Sequence, residues 1–249
     1  MLEIANVTKN FGGLTALNDI CIQVKENQIY GLIGPNGAGK TTLFNLIAGF
    51  LTATEGSIQF SGKELTRLRP NKIARLGIAR TFQNIRLFGT MTVRENVLVA
   101  QNTRARSGVL SLVQLLSARE KQFQEEANVL LKKMGLWKKR NEPSISLAYG
   151  DQRRLEIARA LALAPKLLLL DEPAAGMNEA ETEDLLGRIQ EIRDMGRTVM
   201  LIEHDMKVVM GICDYISVLN FGSLIAQGAP EEIQASEAVI EAYLGREEE

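Results

Sequence analysis

The spacing of apolar and polar positions divides the chain into stretches of different period. In the first 25 residues the alternation is that of strands, with Ile20, Ile22 and Val24 pointing one way and Cys21, Gln23 and Lys25 between them. "IYGLIG" (29–34) reads as a short buried strand running into "PNGAGKTT", and "LFNLIAGFL" reads as the helix that follows. "GSIQFSGKEL" (56–65) predicts a hairpin with Ser-Gly as its turn. From about 93 to 164 the chain turns helical and more polar, and Phe123, Ala127, Leu130 and Met134 recur at helical spacing. That run has no strand signal of its own and reads as an inserted helical subdomain.

Strands then return. "KLLLLD" (166–171) is an unbroken apolar run, the pattern of a strand covered on both faces of a parallel sheet. A helix with Leu185, Ile189 and Ile192 on one face follows, then the strand "TVMLIE" (198–203), another helix, and "YISVLN-FG-SLIAQG" as a closing hairpin. Strand, helix and strand at this spacing predict βαβ units. The tail "GREEE" reads as frayed and solvated. The expected fold is α/β in one domain over 1–249. Residues 1–92 and 165–249 form the core together with an antiparallel β subdomain, and 93–164 form the helical insertion.

Composition narrows the partners. The 249 residues carry 29 basic and 30 acidic side chains, a net charge of −1, without the basic surplus that a nucleic-acid footprint needs. One local exception is Lys63 to Arg86, where Lys63, Arg67, Arg69, Lys72, Arg75, Arg80 and Arg86 face a single acid, Glu64. It reads as a solvated loop and helix face. The cysteines, Cys21 and Cys213, are too few and too far apart for a disulfide scaffold or metal site, and each reads as a small buried hydrophobe. No secretory signal opens the chain, and no run reaches the roughly 18 apolar residues of a membrane span. A cytoplasmic protein is expected, meeting a membrane only through a partner.

The chemistry begins at "GPNGAGKT", Gly34 to Thr41, which has the form G-x-x-x-x-G-K-[ST]. Small residues let the loop close with its amides pointing at phosphate oxygens. Lys40 can reach the β- and γ-phosphates, the Thr41 hydroxyl can ligate Mg²⁺, and the helix beyond places its positive end on the anion. Asn36, Gly37, Ala38, Gly39, Lys40, Thr41 and Thr42 are the candidate phosphate-binding residues. "LLLLDE" supplies two carboxylates, Asp171 for the metal and Glu172 for orienting a water, which is an arrangement for hydrolysis. His204, the only histidine, follows an apolar strand, where ligands gather in parallel α/β sheets, and could bond the γ-phosphate.

Together these residues resemble the ATP-binding subunits of ABC transporters, and the resemblance covers nearly the whole chain. It implies a P-loop NTPase core, ATP and Mg²⁺ as ligands, and ATP hydrolysis coupled to transport. "EHD" around His204 is similar to the family's switch histidine. Gln83 in "TFQNIRLF" resembles the glutamine that joins the subdomains and senses Mg²⁺ and the γ-phosphate. Phe11 falls where the family stacks an aromatic on adenine.

"LAYGDQ" is similar to the family signature Leu-Ser-Gly-Gly-Gln, which caps the ATP held by a second, head-to-tail subunit. The resemblance assigns that capping to Ala148, Tyr149, Gly150 and Asp151 and implies a dimer, identical or mixed. Three positions depart from the usual form. Ala148 lacks the serine hydroxyl, Tyr149 replaces a glycine, and Asp151 replaces glutamine. Asp151 suits a helix N-terminus equally well. A carboxylate there repels nucleotide unless a cation or donor intervenes, so weaker capping than with glutamine is expected. Asn178 stands where the family often has aspartate.

Within the family, "RTFQNIRLFGTMTVRENVLVAQ", "DEPAAGMN" and "LIEHDMKVVMGICD" look like the ATPases of branched-chain (hydrophobic) amino acid importers. This implies integral membrane permease partners, with Ile85, Leu87 and Phe88 of "NIRLFGTM" facing one of them. A periplasmic or extracellular solute-binding protein takes part indirectly, and the ATPase lies at the cytoplasmic face of the membrane. The alternatives are an ATPase of another transporter, such as a lipid or glycolipid exporter, a non-transport relative acting on ribosomes or DNA, and a small-molecule kinase using the same loop.

Overall fold

The computed structural model describes residues 1–102 and 112–244. Period-two alternation builds the first sheet. β1 (Leu2–Phe11) pairs antiparallel with β2 (Leu14–Val24), and on β2 Leu17, Ile20, Ile22 and Val24 are buried. Cys21 lies on the outer face, where its sulfur accepts the Asn6 amide at 3.3 Å. The buried role expected for Cys21 is therefore wrong, because alternation puts it opposite Ile20 and Ile22. Cys213 is buried as expected.

β3 (Ile29–Ile33) is buried at every residue and feeds the phosphate loop and α1 (Lys40–Ile47). β4 (Glu55–Phe60) and β5 (Lys63–Glu64) form the expected hairpin about Ser61–Gly62, both at positive φ. The first sheet runs β2-β1-β4-β5. The basic stretch that follows holds α2 (Pro70–Leu76) and a strand that the sequence pattern does not reveal, β6 (Ile78–Arg80).

Next come α3 (Val93–Asn102), α4 (Leu112–Lys133) and α5 (Tyr149–Ala162). Of the stripe expected on α4 and its end, Ala127 and Met134 are buried while Phe123 and Leu130 are half-buried, and the neighbouring Leu131 is buried in addition. β7 (Leu167–Asp171) is buried throughout and pairs in parallel with β6 on one side and β8 (Thr198–Ile202) on the other, the setting in which an unbroken apolar run is found. Between β7 and β8 runs α6 (Glu179–Asp194), with Leu185, Ile189 and Ile192 fully buried. After α7 (Met206–Ile212), β9 (Tyr215–Asn220) and β10 (Ser223–Gly228) make the expected hairpin. Two short helices then follow, α8 (Pro230–Gln234) and α9 (Glu237–Leu244). The tail read as frayed, 245–249, lies outside the described residues.

The second sheet has the order β10-β9-β3-β8-β7-β6, parallel except for β10 against β9. Contacts divide the chain into two compact units. One is Met1–Arg80 with Lys166–Pro173 and Ile189–Glu249, and the other is Thr81–Pro165 with Ala174–Arg188. Among the described residues no helix is long and apolar enough to cross a membrane.

Candidate active site

In the first unit, three neighbouring strands deliver the chemistry at their carboxyl ends, where open α/β sheets gather ligands. Leu32 of β3 and Asp171 of β7 both pair with Ile202 of β8, so the phosphate loop, the Asp171–Glu172 pair and His204 leave the sheet at one level. The loop is braced from outside by the β9–β10 turn, whose Gly222 amide donates to the Ala38 carbonyl at 3.2 Å. Gly34 has φ 146, and a Cβ there would collide with the Leu219 carbonyl. Gly39, at φ 100, would press a Cβ to 2.6 Å from Leu17. Backbone geometry requires glycine at both positions.

Lys40 opens α1 and is buried, its ammonium donating to the carbonyls of Gly34 at 2.6 Å and Pro35 at 2.8 Å. Burial pulls its pKa below 10.5, while the carboxylates of Glu172 and Asp171 push it back up. The charges of the two motifs are thus felt at one ammonium. Thr41 is exposed and Thr42 half-buried in the first turn of the helix, while Asn36 and Gly37 are exposed on the loop and Ala38 is buried.

Asp171 does not stand alone. Arg80, at the end of β6, donates to its Oδ2 at 2.8 Å and to Asn45 Oδ1 at 2.6 Å. Arg80, read from the sequence as one of the solvated basic residues, is instead a half-buried partner of the Asp171 carboxylate. The other six basic residues of that stretch are exposed. The Thr41 hydroxyl and the Asp171 carboxylate are hard oxygen donors of the kind Mg²⁺ takes alongside nucleotide phosphates, so the donor set fits that ion.

Glu172 sits at φ 48, a left-handed conformation costly for a residue with a side chain. Its amide donates to the Ile202 carbonyl at 3.0 Å, and its Oε1 lies 2.5 Å from His204 Nε2. His204 is otherwise exposed. Phe11, at the end of β1, is 45% exposed with Lys9 4.9 Å above its ring, so core packing does not explain it.

The second unit carries Gln83 and the stretch from Ala148 to Asp151. Gln83 is exposed in an irregular segment, and its carbonyl accepts from Arg153. Ala148 is the N-cap of α5 and makes no side-chain cap. Tyr149 is 45% exposed, and a Cβ on Gly176 would stand 3.1 Å from its ring. A Cβ on Gly150 would meet the Glu181 carboxylate at 3.0 Å, a group already engaged in capping α6.

Asp151 is buried and paired with both Lys139 and Arg154. Burial alone would raise its pKa; hydrogen bonds from Arg154 and Lys139 outweigh that and hold it below 3.8. The carboxylate therefore carries its own counter-ions, the condition under which its repulsion of nucleotide is offset. Asn178 accepts from the Glu181 amide at 2.9 Å while Glu181 accepts from the Asn178 amide at 3.1 Å, a reciprocal cap at the start of α6. The sequence reading missed the roles of Arg80 and Arg153. A basic residue directly after a short apolar pair, as in "GIAR", was the available signal for Arg80.

A family model described as "ABC transporter" matches residues 17–175, more than half of the chain. The chain belongs to the ABC transporter family. A second model, "Branched-chain amino acid ATP-binding cassette transporter", matches residues 223–249 of the cassette. The cassette is 47% identical to the high-affinity branched-chain amino acid transport ATP-binding protein LivG of Salmonella typhimurium, over 98% of both chains. A nucleotide-free ATP-binding cassette of an ABC transporter superposes with TM-score 0.86 at 32% identity, over 99% of both chains. A dimeric cassette in a post-hydrolysis state, bound to ADP and phosphate, has TM-score 0.79 at 26% identity over 92% of this chain and 99% of its own. The expected α/β P-loop NTPase fold is borne out, and the cassette is an ATPase.

Proposed function

We propose that this cassette is the ATP-hydrolysing motor subunit of an importer of branched-chain or other hydrophobic amino acids. The observation that carries the reading is its 47% identity, from end to end, to a protein described as serving that transport. The strand-end cluster supports the motor part. Lys40 exchanges the Gly34 and Pro35 carbonyls for phosphate oxygens, and the N-terminal end of α1 adds its positive potential. Thr41 and Asp171 would hold Mg²⁺, which when bound neutralises charge on the β- and γ-phosphates; sensing of the ion and the γ-phosphate falls to Gln83. Glu172 orients the attacking water, His204 holds Glu172 and reaches the γ-phosphate, and Phe11 stacks on the adenine.

The site is completed by a second cassette, whose Ala148–Asp151 stretch caps the nucleotide. Gly150 has no side chain of its own to keep a phosphate away from the mouth of α5. The 84–91 segment, with Phe88 44% exposed, fits a permease contact at the cytoplasmic face of the membrane. An extracytoplasmic solute-binding protein then acts on the motor only through the permease.

Introducing Glu172→Gln into the cell's own copy tests the reading. Uptake of labelled leucine, isoleucine and valine should fall while the protein still co-purifies with integral membrane subunits. Unchanged uptake of all three would remove the substrate assignment, and recovery of no membrane subunit would remove the motor.

A further inference from the structure

One side of α5 carries a row of polar side chains that begins in the capping stretch, at Tyr149, and runs on through three residues that neither the nucleotide chemistry nor the apolar core uses. Tyr149, Arg153, Glu156 and Arg159 stand at i, i+4, i+7 and i+10, which places them on one stripe of the helix. Arg153 and Glu156 are only 3% and 6% exposed, so both need partners. Arg153 Nη1 donates to the Phe82 carbonyl at 2.8 Å and Nη2 to the Gln83 carbonyl. Glu156 accepts from the Phe82 amide at 3.4 Å and from the Arg86 amide, and pairs with Arg153 at 3.3 Å. Arg159 donates to the Arg86 carbonyl and lies 4.9 Å from the Phe88 ring. The segment 82–88 has no helix or strand of its own, and much of its backbone is bonded to this stripe.

At the head of the stripe stands Tyr149, where the family signature has glycine. Its hydroxyl is 3.3 Å from Arg153 Nε and 3.0 Å from Nη2, and the guanidinium lies 5.5 Å from its ring centroid. Glycine could make neither contact. The residue that departs from the signature is thus the one that ties the signature to Arg153.

We infer that Tyr149 and Arg153 are positioning residues that couple the signature stretch to Gln83 and the segment beyond it. Rising 1.5 Å per residue, α5 carries the four side chains as one bar roughly 15 Å long from Tyr149 to Arg159. A buried guanidinium bonded to two carbonyls cannot slide as an apolar contact can, because any other position strands a charge and two acceptors. Movement of the α5 mouth on meeting nucleotide is therefore passed to the backbone of 82–88. This inference rests on the proposed composite site, which supplies that movement.

Hydrogen exchange on the full chain, in a Glu172→Gln background that retains ATP, tests it. In that parent, ATP with Mg²⁺ should slow exchange in both 147–154 and 81–88. Adding Tyr149→Phe or Arg153→Met should leave the slowing at 147–154 and abolish it at 81–88, with Arg153→Lys partly restoring it. Equal ATP-induced slowing at 81–88 in parent and variants would overturn the coupling. Loss at both segments in the mild Tyr149→Phe variant would reduce these residues to fold support and overturn it too. A parent that shows no slowing at 147–154 rejects the composite site itself, and the coupling with it.

Discussion

Glu172 combines a costly backbone with a short contact, and both bear on one oxygen. A left-handed φ of 48 persists only where the surroundings over-determine it, and here the strand pairing before it and the amide bond to Ile202 do so. The carboxylate is thereby held 2.5 Å from His204. Glu172→Gln keeps size and backbone but loses the carboxylate proposed to act on the attacking water, so kcat should fall by about 10²–10⁴-fold while ATP binding persists, as read by turnover and equilibrium binding. Asp151 makes the opposite case, a residue of the signature-like stretch whose charge is neutralised within its own unit. Asp151→Asn should lower stability by about 1–3 kcal/mol at neutral pH, by removing the charge-assisted hydrogen bonds that the buried carboxylate accepts from Lys139 and Arg154. Because the folded pKa lies below 3.8, this stabilisation is fully present above that value and is lost as pH falls through the folded pKa. Denaturant titrations should accordingly show a constant gap between wild type and variant above about pH 5, closing in more acidic solution.

At the level of elements, α5 begins without a side-chain cap because Ala148 has no oxygen to offer its first amides. Ala148 already has the extended N-cap backbone, φ −60 and ψ 156, so Ala148→Ser needs no rearrangement. It should add about 1 kcal/mol of stability, or roughly 2–4 °C in the Tm of the nucleotide-free protein. A Tm unchanged without nucleotide would confine the serine's value to phosphate contact. What the sequence made legible follows the same physics. β7 was readable because four leucines in a row suit a strand buried on both faces, and the β4–β5 turn because Ser61–Gly62 tolerates positive φ. β6 was not, since it has three residues and ends in an arginine whose partner, Asp171, lies 91 positions away. Arg153 was hidden likewise, its carbonyl partners being about 70 residues upstream. Patterns along the chain report which face is buried, but not which distant polar group waits there.

For the whole molecule, the two motif sets lie in separate compact units of one chain, the phosphate loop in the first and the signature in the second. If a working site takes one set from each of two cassettes, damage to either set leaves the other able to serve a partner. Lys40→Ala removes the ammonium proposed to bind phosphate, and Gly150→Glu puts bulk and charge at the mouth of α5, so each variant alone should be nearly inactive. In a mixed pair, the intact loop of one chain meets the intact signature of the other, giving one complete site. With equal amounts and random pairing in a symmetric dimer, roughly half the pairs are mixed, so about a quarter of wild-type sites return. ATP turnover measured against mixing ratio should rise from near zero to a maximum at equal proportions. A mixture as silent as its components, with both variants folded by circular dichroism, would mean that this chain does not pair with itself. The second half of the site would then have to come from a different cassette.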